Sequence, residues 1–163
     1  MKTMKAYPEL RKTAHGVGQN CVHLVWKPKY AFKVLEGEVK TECERVLRET
    51  ARRYGYGVIA LEVQPDHVHC FLSFPPTESV SKVLNILKGV SSRRLRQQFP
   101  SLRRRYWGGH MWSPGKFFRS VGSTTDRAVK HYIESSHHGW DTHRQVLDRL
   151  AIDDSQTQLT HFS

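Results

Sequence analysis

The 163-residue chain carries 26 Lys and Arg against 15 Asp and Glu, a formal net charge of +11 at pH 7, with 38% hydrophobic and 25% charged residues. These are the proportions of one ordinary globular domain, long enough to bury roughly two-thirds of its unfolded surface. No apolar run reaches the length of a membrane span, and Met1-Lys2-Thr3-Met4-Lys5 has no apolar stretch behind it, so neither a spanning segment nor a secretory signal is expected. The three cysteines (Cys21, Cys43 and Cys70) are an odd number without paired metal spacing. They read as small buried hydrophobes in a reducing, cytoplasmic setting.

In chain order, residues 1–17 read as an irregular, polar lead-in. Cys21-Val22-His23-Leu24-Val25-Trp26 is rich in strand formers and stops at Lys27-Pro28. Val39, Cys43, Val46, Leu47 and Tyr54 recur at helical spacing, with Gly55 as the natural stop. Val58 to Val63 is a second strand and His67 to Phe74 a third, joined through Gln64-Pro65-Asp66. Thr77 is placed to cap a second helix carrying Val80, Val83, Leu84, Leu87 and Val90, which must stop before Pro100. A broken stretch from Trp112 becomes strand-like up to Val121. Ser123 and Asp126 then open a last helix bearing Val129, Tyr132, Ile133 and Ser136, and 141–163 is a polar tail. The order β-α-β-β-α-β-α predicts an α+β, ferredoxin-like split βαβ fold: an antiparallel sheet with helices on one face, plus a C-terminal helix. Such a scaffold hosts many functions and decides none.

Charge and spacing say more. Between Lys82 and Arg119 there are ten Lys or Arg and no Asp or Glu. A surface of that kind attracts phosphates, whereas the apolar residues look committed to a core rather than to a membrane surface. Aromatics lie beside the cations, so Tyr106, Trp107 and Trp112 are candidate faces for unpaired bases. In His67-Val68-His69 the two imidazoles stand two apart on a strand and so project from one face. Val68, Cys70, Leu72 and Phe74 form an apolar row on the other. Paired imidazoles are ready metal ligands, although surface histidines in a half-buried strand would look the same.

The segment Val63-Gln64-Pro65-Asp66-His67-Val68-His69-Cys70-Phe71-Leu72 resembles the histidine-hydrophobe-histidine (HUH) signature of nucleases that act on single strands. More specifically, it is similar to the TnpA-type (IS200-like) single-tyrosine transposases of bacterial insertion sequences. The likeness extends, in order, to His23-Leu24-Val25-Trp26 with Lys29-Tyr30, to Trp107-Gly108-Gly109, and to Lys130-His131-Tyr132-Ile133-Glu134-Ser135, and so covers a catalytic domain at 18–140. The resemblance implies Tyr132 as nucleophile, a divalent metal (Mg2+ or Mn2+) on His67 and His69, and a 5′-phosphotyrosine intermediate in transposition. It further implies a homodimer and a single-stranded DNA partner with hairpin ends. Lys88, Arg93, Arg94, Arg103, Arg104 and Arg105 are the candidate DNA contacts. Where the family has a metal-binding glutamine four residues after the tyrosine, this chain has Ser136, a shorter and weaker ligand that would act through water. His137 is turned about 100° further round a helix.

Two other classes share these features. One is an inactive or domesticated protein that grips DNA hairpins without cutting, which Ser136 favours. The other is an RNA-binding module on a split βαβ scaffold, which would stack bases on aromatics of its central strands.

Overall fold

The computed structural model describes residues 11–18 and 20–121. The expected last helix, with Tyr132 and Ser136, and the tail lie outside them.

Residues expected to be irregular instead include a small ribbon. β1 (Arg11–Thr13) pairs antiparallel with β2 (Gly16–Gly18), and the Thr13 hydroxyl donates to the Gly16 carbonyl across the turn at 3.3 Å. The turn is carried by a side-chain hydroxyl rather than by a strong two-residue turn pair, which is why the pattern did not announce it.

The main sheet follows the predicted plan. β3 (Cys21–Trp26), α1 (Gly37–Arg53), β4 (Gly57–Gln64), β5 (His67–Ser73), α2 (Val80–Gln98) and β6 (Phe117–Val121) give a four-stranded antiparallel sheet in the order β4-β5-β3-β6. This is the split βαβ arrangement, in which each helix crosses over one strand position to return. Gly55 ends the first helical segment at φ +75°, a left-handed position that costs glycine little. α2 is capped not by Thr77 but by Ser79, whose hydroxyl accepts from the Lys82 amide at 3.1 Å. It stops at Phe99 as expected, but Pro100 then starts a further short helix, α3 (Pro100–Arg105). Proline lacks an N–H and holds φ near −65°, so the residue that forbids continuation also suits the first turn of a new helix.

One face of the sheet is dry. Val22, Leu24 and Trp26 of β3 and Val68, Cys70 and Leu72 of β5 pack with Cys43, Leu47 and Ala51 of α1 and Val83, Leu84 and Leu87 of α2. Burial pushes the Cys43 and Cys70 thiols up to about 12, so both behave as inert small hydrophobes. Cys21 lies on the opposite face, in a separate small cluster with Phe71. A register shift between Val58 and Ala60 marks a bulge at the outer end of β4, the start of that strand.

Candidate active site on the histidine face of the sheet

Because β5 puts Val68, Cys70 and Leu72 into the helix-covered core, alternation sends His67, His69 and Phe71 to the other face. The expected pair is therefore built as read. His69 stands opposite Val25 of β3 and Glu62 of β4, and His67 stands opposite Gln64. Both imidazoles are buried, at 5% and 8% exposure for His67 and His69. A buried imidazole needs polar company, and each has it.

His67 is oriented by its sequence neighbour. Its Nδ1 lies 2.9 Å from Asp66 Oδ1, and since a carboxylate can only accept, Nδ1 carries the proton. In the neutral ring this fixes Nε2 as the lone-pair nitrogen. A carboxylate behind an imidazole is the usual support of a metal-binding histidine. Asp66 thus turns a connecting residue into part of the site.

His69 is oriented by a residue the sequence reading passed over. His23 Nε2 lies 2.9 Å from His69 Nδ1 and 2.8 Å from its Nε2, with the ring centroids 4.0 Å apart. One proton can serve only one of these contacts, so His23 can hold either nitrogen of His69 while the other serves as ligand. His23 is itself buried and meets Phe117 of β6 edge-on at 6.0 Å. It is a diagonal neighbour across the β3–β5 pair, since His23 opposes Phe71 and Val25 opposes His69. The signal was available: His23 is the one imidazole in the otherwise apolar run Cys21–Trp26.

Glu62 does not close on the pair; its carboxylate accepts a hydrogen bond from the Gln64 amide on the same strand. Among the described residues no three His, Cys, Asp or Glu side chains converge as a metal cage. Two supported imidazoles suit a divalent ion as two of its ligands, and Ser136, the expected further ligand, lies outside the described residues.

The expected DNA contacts divide. Arg93, Arg103, Arg104 and Arg105 are exposed on α2 and α3. Arg94 instead bonds Glu49 of α1 at 3.0 Å and ties the two helices together, and its proximity holds the Glu49 carboxyl below the usual range. Lys88 donates to the Ser113 carbonyl at 2.7 Å and lines a cleft of about 570 Å3 with Lys29, Asn85, Arg96, His110 and Trp112. The expected stacking faces need correction. Tyr106 and Trp112 are only 3% and 5% exposed. Tyr106 donates to the Lys29 carbonyl at 3.3 Å and Trp112 Nε1 to Ser91 Oγ at 2.9 Å, so both are spent on holding 106–113 against the body. Trp107 alone of the three stands out, at 87%. Tyr30, Phe32, Tyr54 and Phe118 are also exposed and were not read from the sequence as stacking faces.

The described residues thus form a split βαβ sheet with an oriented His-x-His pair on the face turned away from α1 and α2. Residues 17–136 match the family described as "Transposase IS200 like". The chain is 39% identical over 129 residues to the ISDra2 transposase TnpA of Deinococcus radiodurans, covering 79% of this chain and 92% of that protein. It is 32% identical over 124 residues to the transposase of insertion sequence element IS200 of Salmonella typhimurium, covering 74% and 82%. A crystal structure described as a transposase from Deinococcus radiodurans superposes with a TM-score of 0.64 at 35% identity, over 77% of this chain and 97% of that one. The REP-associated tyrosine transposase bound to a REP hairpin shares the fold, with a TM-score of 0.51 at 16% identity, over 83% and 77%. The chain belongs to the IS200-like transposase family, whose reaction class is DNA cleavage and strand transfer.

Proposed function

We propose that this chain cuts and rejoins single-stranded DNA through a covalent tyrosine intermediate, with His67 and His69 holding a divalent metal. The observation that carries the reading is the pair itself: two imidazoles on one strand face, one fixed by Asp66 and the other by His23. Mg2+ and Mn2+ are the candidates, and nitrogen ligands suit Mn2+ better than Mg2+. When bound, the ion would polarise and orient the scissile phosphate.

The nucleophile in this reading is Tyr132, taken from the family likeness. Its hydroxyl oxygen attacks phosphorus, the bond from phosphorus to the 3′ oxygen breaks, and the DNA 5′ end stays on the tyrosine. The departing oxygen takes a proton and becomes a 3′ hydroxyl, while the tyrosine proton passes to solvent. Another 3′ hydroxyl reverses these events and joins new ends, because the phosphotyrosine bond keeps the energy of the bond it replaced. His23 and Asp66 bear on this only by keeping the imidazoles in register. Hairpin-bearing ends as substrate, supported by the hairpin-bound protein of the same fold, and a homodimer complete the reading.

Covalent trapping tests it. Labelled single-stranded oligonucleotides from the gene's own flanks are mixed with wild type or Tyr132→Phe, with Mg2+, Mn2+ or chelator. A band surviving a denaturing gel, dependent on metal and lost in Tyr132→Phe, is the expected result. Tight hairpin binding with no covalent product under any metal overturns it in favour of a binder.

A further inference from the structure

The turn after β3 is strained in a way its sequence does not require. The Ala31 amide bonds back to the Pro28 carbonyl at 3.1 Å, and within this turn Tyr30 takes φ +66° and Ala31 φ +52°. Turns normally give such a position to Gly or Asn, and a bulky side chain there is an outlier. Strain of this kind persists where the surroundings or a function hold it.

Its effect is to set an aromatic ring in the open. Tyr30 is 69% exposed and lies 5.6 Å, centroid to centroid, from Phe32, itself 37% exposed. The Arg105 guanidinium sits 4.6 Å from the Phe32 centroid and the Lys29 ammonium 5.7 Å from that of Tyr30. Lys29 also lines the cleft of about 570 Å3 shared with Lys88, Arg96 and His110, with no Asp or Glu among the described lining residues. That volume falls within the roughly 300–1,000 Å3 of ordinary small-ligand sites. Rings and cations therefore meet at Lys29, which lies beside the Tyr30 ring and also lines the cleft.

We propose that Tyr30 and Phe32 form a stacking platform for unpaired bases of single-stranded DNA, with the phosphates of that strand drawn to the cleft lined by Lys29. Cations with open aromatic rings are complementary to a strand whose bases are unstacked, whereas a duplex keeps its base faces covered. An apolar or basic protein partner would meet repulsion or leave the cations unpaired. This inference rests on the DNA-acting reading above and adds to it a place where the strand lies, on residues outside the histidine pair.

Fluorescence anisotropy with a labelled oligothymidylate of about 12 nucleotides, within the site sizes of one small domain, tests the platform. A mixed-sequence duplex of the same length and an oligouridylate are run beside it. Tyr30→Gly is the main variant, because glycine relieves the left-handed turn while removing the ring. The expected result is oligothymidylate binding about tenfold weaker, within the range one stacked base contributes, with duplex binding unchanged. The melting temperature is held or raised, and Tyr30→Phe, which keeps the ring, binds like wild type. Wild-type affinity in Tyr30→Gly overturns the platform. So does a lowered melting temperature with equal losses in both variants, since Tyr30 would then serve the fold. Tighter binding of the oligouridylate than of the oligothymidylate overturns the choice of DNA. If wild type cleaves its flanks yet binds no oligothymidylate, or Tyr30→Gly binds it normally, the platform alone fails; if wild type neither cleaves nor binds its flank DNA, the DNA reading fails with it.

Discussion

On the helix-covered face of β5, Val68, Cys70 and Leu72 meet α1 and α2 with no polar partner to satisfy. On the other face of the same strand, His67 and His69 are buried too, but each is held by a named polar neighbour, Asp66 or His23. One strand thus carries a face whose value is area removed from water and a face whose value is orientation. The first tolerates any side chain of the right size and shape. The second tolerates only side chains that keep a nitrogen aimed and a proton placed. Mutations on the two faces should therefore fail differently.

The largest effect is expected on the dry face. Leu24 is fully buried between β5 and the helices, and Leu24→Ala should lower unfolding free energy by about 2–5 kcal/mol in urea titration. His69→Ala, one strand away on the other face, should cost clearly less stability and yet end metal-dependent cleavage. If the two variants lose stability and activity in the same proportion, the distinction between the faces is wrong.

A smaller effect sharpens the comparison. His23→Phe keeps a ring beside His69 but removes the nitrogen that holds it. The metal concentration for half-maximal cleavage should rise about tenfold to a hundredfold, with most activity recovered at saturating metal. Loss that saturating metal does not recover would move His23 from positioning to the reaction itself. An unchanged metal requirement would leave it a packing residue.

The two faces were also unequally legible. The apolar row and the His-x-His pair follow from strand alternation alone, so the four-stranded sheet, α1, α2 and the pair were readable, whereas α3 was not. His23 was not singled out because Cys21–Trp26 is buried on both faces, which blurs the alternation that made His67 and His69 stand out. Asp66 read as a turn residue, and turns do not state what their side chains reach. Arg94 counted as a free cation because sequence does not show Glu49 facing it from α1. Tyr106 and Trp112 looked like open aromatic faces until the hydrogen bonds to Lys29 and Ser91 turned them inward. Tyr30 was hidden for the opposite reason: a left-handed turn without Gly or Asn leaves no mark in the sequence.

The central claim is that the histidine face holds the metal that DNA cleavage needs. It is tested most directly by titrating Mn2+ against covalent product in wild type and His67→Ala, on the same single-stranded flank DNA. Thermal melts alongside confirm that both are folded. The account predicts a folded His67→Ala that forms no product, or that needs more than about a hundredfold more metal. A folded His67→Ala with the wild-type metal requirement and yield would contradict it.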